Sequence, residues 1–158
     1  PLTLRGGSLR LFFCGNFDYT EFMKDYSQNL IKDYKYWSWY IHENQGILGR
    51  TYIWCKREDA LDLPDATEEE QKELFGILRE IEQVITKVFK PDMFNYAFLG
   101  NATHHLHGHI LPRYSKPIEF NDQTFVDKNW GHNYKTDHSF ITSTELLEVI
   151  KVKIKENL

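Results

Sequence analysis

Leu99-Gly100-Asn101-Ala102-Thr103-His104-His105-Leu106-His107-Gly108-His109-Ile110-Leu111-Pro112-Arg113-Tyr114 carries four of the seven histidines in this 158-residue chain. His105, His107 and His109 alternate with Leu106, Gly108 and Ile110. Alternation at period two is the strand period, so the spacing puts three imidazoles on one face of a strand. Residues two apart on a strand lie roughly 6.5–7 Å apart, close enough for two rings to meet one small group. The other face reads as apolar or empty, as a strand lying on a core requires. Three partly polar rings side by side gain little packing and risk unmet hydrogen bonds, so a purely structural reading is the weaker one. Two chemistries fit the pattern. Three imidazoles can bind a zinc ion. They can also handle a phosphate directly, one ring attacking phosphorus while its neighbours hold charge.

The same residues carry a resemblance. The His-apolar-His-Gly-His-Ile-Leu run is similar to the signature of the histidine triad family of nucleotide hydrolases and transferases, with Gly108 where the family has an apolar residue. Gly100-Asn101 stands four residues before His105, and Pro112-Arg113 follows the triad as in many dinucleoside-polyphosphate hydrolases of that family. Gly49-Arg50-Thr51-Tyr52-Ile53-Trp54-Cys55-Lys56-Arg57 resembles the family's Gly-His strand that ends in Pro-Lys-Arg-His. The resemblance covers about residues 37–114. It implies an α+β fold, an antiparallel sheet with helices packed mainly on one side, and a homodimer. It further implies that His107 forms a nucleotidyl-histidine intermediate. Two positions depart from the pattern: Arg50 replaces the usual histidine, and His42 stands near the usual ribose-binding acid.

Composition narrows the remaining classes. The chain is long enough for one domain with a real core. We read residues 1–158 as that single domain, with its core over about 37–114 and a C-terminal loop and helix over 115–158. A net charge of −4 argues against a surface for nucleic-acid polymers, which needs a basic field. Cys14 and Cys55 are too few for a disulfide framework. No apolar run reaches the length of a membrane span and the start does not read as a secretory signal, so the cytoplasm is the expected location.

Along the chain, Leu9 to Phe13 reads as an edge strand or arm. Phe22, Tyr26 and Leu30 share a helical face over Thr20 to Tyr34. Tyr36 to Ile41 and Arg50 to Lys56 read as the arms of a hairpin. Thr67-Glu68-Glu69-Glu70 has the capping-box pattern. Leu74, Leu78, Ile81, Ile85 and Val88 then mark one helical stripe ending before Pro91. Phe75, Ile77, Val84 and Phe89 fall partly off that stripe, a surplus that suggests a partner surface. Phe94 to Leu99 reads as a strand. Tyr114 to Asp137 has no clean period and reads as an ordered loop that packs over something. Thr142-Ser143-Thr144-Glu145 is a second capping-box pattern opening a terminal helix.

The residues then take roles. His107 has a neighbour on either side, so it alone can meet phosphorus while both flanks contact its oxygens. His109 contacts the transferred phosphate or the leaving oxygen. His105 orients its neighbours. Asn101 and Asn95 offer amide donors to the substrate, and Arg113 is a candidate for holding distal phosphates. A small nucleotide, favoured as a dinucleoside polyphosphate, is the expected substrate. No tightly bound cofactor is expected, with magnesium serving only to shield a polyphosphate. Two rivals stay open at this point: a zinc hydrolase built on the three histidines, and a nucleotide-binding module without turnover.

Overall fold

A computed structural model describes residues 27–158. The expected strand at Leu9 to Phe13, most of the expected first helix and Cys14 lie outside the described residues.

Five strands form one antiparallel sheet: β1 (Leu30–Asp33), β2 (Trp37–Ile41), β3 (Thr51–Cys55), β4 (Met93–Ala97) and β5 (His107–Arg113). Their spatial order is β1-β2-β3-β5-β4. Two α-helices accompany it among the described residues, α1 (Glu68–Phe89) and α2 (Thr144–Lys155). The architecture is α+β, as expected. The expected helix over Thr20 to Tyr34 is corrected where it is described: Ser27–Asn29 is a 3₁₀ turn and Leu30–Asp33 is the edge strand of the sheet. Tertiary pairing overrides the helical spacing there. Leu30 pairs with Tyr40 and Asp33 with Ser38, with a bulge between Leu30 and Lys32.

Register sorts the sheet into two faces. Trp39 pairs with Ile53, and Ile53 with Gly108; Ile41 pairs with Thr51, and Thr51 with Ile110. These residues share one face, which the helices cover. The Trp37 indole donates 3.0 Å to the Glu70 carbonyl of α1, and Tyr96 of β4 hydrogen-bonds Glu82 of the same helix. Trp37, Trp39, Ile41, Ile53, Ile81, Ile85, Ile110 and Ile150 are fully buried between these layers. The opposite face carries Tyr40, Tyr52 and His109 in one cross-strand row, and Ser38, Trp54 and His107 in the next.

The long helix starts where the capping box places it. The Thr67 side chain accepts from the Glu70 amide and the Glu70 carboxylate accepts from the Thr67 amide. Lys90 closes the helix in the left-handed region at φ 53°, and Pro91 prevents continuation. The buried stripe runs Leu74, Ile77, Ile81, Val84, Ile85 and Phe89. This corrects the expected stripe: Leu78 and Val88 sit at its margin, while Ile77, Val84 and Phe89 are core. Only Phe75 of the surplus residues is exposed, at 60%. For α2 the cap is Ser143, whose hydroxyl accepts from the Leu146 amide.

Residues 114–143 are more ordered than a loop. They include a small hairpin, β6 (Ile118–Phe120) and β7 (Gln123–Phe125). A strap, residues 126–142, then runs back to the sheet. Arg113 anchors its start. Its guanidinium is 2.6 Å from Asp127, with both side chains 3% exposed, and it also donates to Asn95 Oδ1 and the carbonyls of Asn129 and His132. The far end is tied to the β2–β3 turn, where Asn44 donates to the Asp137 carbonyl and Thr142 accepts from the Gln45 amide.

Candidate active site

Strand β5 delivers His107 and His109 to the strap-side face, each half-buried. The strand begins at His107 rather than at His105. His105 nevertheless shares the face, because its ring stacks on Trp54 at a centroid distance of 4.1 Å and 9° between planes. His107 stacks on the same indole at 5.2 Å and 25°. Trp54 is therefore the wall that aligns two of the three histidines. Sequence reasoning left it unassigned. The available signal was its alternation with Ile53 and Cys55, which puts it on the face opposite the core.

The backbone around the triad is fixed by its own hydrogen bonds. The Leu106 amide donates 2.8 Å to Ala60 and the Leu106 carbonyl accepts from the Cys55 amide. His107 Nδ1 lies 2.7 Å from the His105 carbonyl oxygen. A carbonyl only accepts, so Nδ1 carries the proton and Nε2 keeps its lone pair. That is the tautomer a nucleophilic imidazole needs.

Gly108 fits the strand for a packing reason. A Cβ at this position would lie 2.4 Å from Cε1 of the Phe98 ring. The ring occupies the space that an apolar side chain at position 108 would fill.

His109 sits in a drier corner. Its ring is 5.4 Å from His107, 6.2 Å from Tyr52 and 5.5 Å from His42. Burial, the Arg50 charge and His107 together pull His109 down to about 4. The same burial and the same arginine pull His42 down to about 3. His42 Nδ1 accepts from the Asn44 amide at 2.9 Å, which leaves its proton on Nε2. Both rings are thus neutral at neutral pH. His105 is also lowered, chiefly by burial. Tyr40 and Tyr52 stack at 5.1 Å and 11°, extending the aromatic surface beyond His109.

The other expected substrate residues divide. Asn101 is exposed in the loop before the triad. Asn95 lies on β4 of the triad face, but its Oδ1 accepts from Arg113. Arg113 itself is 2% exposed and fully engaged, so the expectation of a free phosphate-holding arginine gives way to a clamp that anchors the strap. Arg113 is buried because Asp127 returns over β5 to neutralise it. Beside this clamp, a cleft of about 990 Å³ lies between β4 and the strap, lined by Asn95, Ala97, Trp130, Tyr134, Lys135 and His138 among others. Ala97 pairs with His109, so the cleft borders the triad. Among the described residues no three His, Cys, Asp or Glu side chains gather as a metal ion would require.

Known proteins resemble the chain in sequence and fold. Residues 51–116 match the family model described as HIT domain. A curated bis(5'-nucleosyl)-tetraphosphatase (asymmetrical) from Schizosaccharomyces pombe is 34% identical over 77 residues, covering 44% of this chain. The chain spans 42% of the length of that relative. A histidine triad nucleotide-binding protein from Sulfolobus tokodaii aligns with a TM-score of 0.64 at 17% identity, covering 82% of both chains. A Hit-like protein from Bartonella henselae aligns at 0.59 and 23%, covering 82% of this chain and 85% of that one. The diadenosine triphosphate hydrolase of Plasmodium falciparum aligns at 0.57 and 16%, covering 82% of this chain and 75% of that one. At these identities the solved structures share the fold.

Proposed function

We propose that this protein is a nucleotide hydrolase or nucleotidyl transferase that opens a phosphate anhydride, ester or phosphoramidate, with a dinucleoside polyphosphate as the favoured substrate. The observation that carries the reading is the 2.7 Å contact between His107 Nδ1 and the His105 carbonyl, which leaves Nε2 free to attack phosphorus. The curated relative of similar sequence, a dinucleoside tetraphosphatase, supports the substrate class.

In the proposed reaction, His107 Nε2 forms a bond to phosphorus as the bond to the leaving oxygen, or to nitrogen in a phosphoramidate, breaks and its electron pair departs with the leaving group. The His107 ring takes on positive charge, which the His105 carbonyl stabilises through the Nδ1 proton. His109 donates a hydrogen bond to a phosphate oxygen. Water or another acceptor then attacks the nucleotidyl-histidine and restores the imidazole. Tyr40 and Tyr52 offer an aromatic surface for a base. The residues themselves supply nucleophile and donors, so we assign the site no resident metal; magnesium would serve the polyphosphate.

A homodimer belongs to the same reading. Phe75 is exposed at 60%, Leu99 at 54%, Met93 at 48% and Tyr96 at 39%, all along α1 and the β4 edge of the sheet. An edge strand beside exposed apolar groups is a natural place for a second copy.

The test is a panel of dinucleoside polyphosphates and nucleoside phosphoramidates offered to the wild type and to His107→Ala. Loss of turnover on the order of a thousandfold or more, with nucleotide binding retained, is expected for a nucleophile. A trapped adduct on His107 would support the covalent step. Undiminished turnover by His107→Ala would refute it. Binding of nucleoside monophosphate without any turnover by the wild type would favour the binding-module reading.

A further inference from the structure

Arg50 stands beside the triad face, and the reaction above does not use its charge. It follows Gly49, which holds φ at 78° with the Phe89 ring packed against it, and it precedes β3 on the triad face. Arg50 is 5% exposed. Its Nη1 donates 3.0 Å to the Thr136 hydroxyl of the strap, and its guanidinium lies 5.8 Å from the Tyr134 ring centroid. Its Nε is buried and has no hydrogen-bond partner among the described residues. None of the ion pairs among the described residues includes it.

The strap shows why no counter-ion reaches it. Asp127 is held by Arg113, and Asp137 by Lys128 and Ser139. The groups whose charge states Arg50 influences are His42 at the end of β2 and His109 on β5, with Tyr134 facing it from the strap. Both histidines are neutral, and Tyr134 is a phenol. A guanidinium remains charged at any physiological pH. A buried charge with no counter-charge costs stability, and such a cost is kept where a site needs the charge.

We propose that Arg50 is the site's fixed counter-charge: a positioning residue whose field draws an anionic phosphoryl group to the triad face beside His109. This rests on the reading of the triad face as a phosphate site. It gives the permanent cation and the proton donor to separate residues. A protonated histidine would combine the two roles, at the cost of losing its charge above its pKa. The ligand is therefore a phosphoryl group recognised by charge, and the neutral nucleoside attached to it gains nothing from Arg50.

The test compares wild type, Arg50→Gln and Arg50→Lys. Gln keeps a donor for Thr136 and removes the charge; Lys keeps the charge. Calorimetry measures AMP, adenosine and inorganic pyrophosphate, and ring ¹⁵N NMR follows His109 through its titration. The expected result is that Arg50→Gln weakens AMP and pyrophosphate by about tenfold or more while adenosine changes less than about twofold. Arg50→Lys should stay within about threefold of wild type for all three. In the Gln variant the His109 midpoint should rise from near pH 4, while burial, the larger cause, still holds it below an exposed histidine. Equal losses for AMP and adenosine would mean a structural role and overturn the proposal, as would an unmoved His109 midpoint. Should neither AMP nor adenosine bind the wild type, the nucleotide reading fails. The counter-charge then stands on the pyrophosphate and NMR results, and falls if either ignores the Gln variant. Should Arg50→Gln fail to fold, Arg50→Met in the wild-type strap background takes its place, and failure of both with a folded but phosphate-blind Arg50→Lys also overturns the proposal.

Discussion

Phe98 lies over Gly108 so closely that a methyl group there would sit 2.4 Å from the ring edge. Gly108 separates His107 from His109, so this contact sets how the triad strand lies on the helix-facing core. Gly108→Ala should displace the ring or the strand and lower stability by about 1–3 kcal/mol, the range for overpacking. Phe98→Ala with Gly108→Ala should recover part of that loss, because the cavity made by one change accepts the other. Urea denaturation of the two single variants and the double variant measures the coupling. Strictly additive losses would show that the two residues do not meet.

Trp54 supports two histidines at once, at 4.1 and 5.2 Å. Trp54→Ala removes that wall while leaving every triad residue in place. We expect kcat to fall about tenfold or more, since a nucleophile loses rate when it loses orientation. Trp54→Phe should retain more activity, because a smaller ring still stacks. Steady-state kinetics decides it; an unchanged kcat for Trp54→Ala would remove Trp54 from the alignment of the site.

Arg113 and Asp127 form a buried ion pair at 2.6 Å. Removing one partner strands the other, so Arg113→Met should cost about 3–5 kcal/mol. The strap should loosen with it, since Asn129 and His132 lose their donor as well. Thermal melting and hydrogen exchange over residues 126–142 give the measurement. Full stability with a selective rise in KM for polyphosphates would instead restore the phosphate-holding role.

His42 at about 3 and His109 at about 4 both titrate below an unfolded histidine near 6.5. Between those values the unfolded chain binds protons that the folded chain refuses. Stability therefore rises with pH through this window and falls as pH drops from about 6.5 toward 4. Urea midpoints at pH 7.5, 6.5, 5.5 and 4.5 should decline in that order. A flat series down to pH 4.5 would mean that the two rings are not held neutral.

Exposed Phe75 and the edge of β4 that has no strand partner among the described residues give the dimer its test. Light scattering at micromolar concentration should report twice the mass of the 18.9 kDa chain. Phe75→Lys combined with Tyr96→Lys should move the mass toward one chain. A wild-type mass near one chain would refute the dimer.

The triad, the hairpin at Trp37 and Thr51 and the capping box at Thr67 were legible because local spacing determines them: alternation makes a strand face, and a capping pair makes a helix start. The sequence by itself therefore determined the α+β class, the three histidines on one face and the start of α1. It misassigned Leu30–Asp33, whose helical spacing loses to pairing with β2, and it centred the α1 stripe one position away from where the sheet meets the helix. Only tertiary structure decided which charges are neutralised. Arg113 meets Asp127 across 14 residues and becomes a clamp, whereas Arg50 meets Thr136 and Tyr134 across more than 80 and stays unpaired. Both read alike in sequence as single arginines beside a strand. What separates them is burial and the return path of the strap, and these depend on long-range packing that no local pattern encodes.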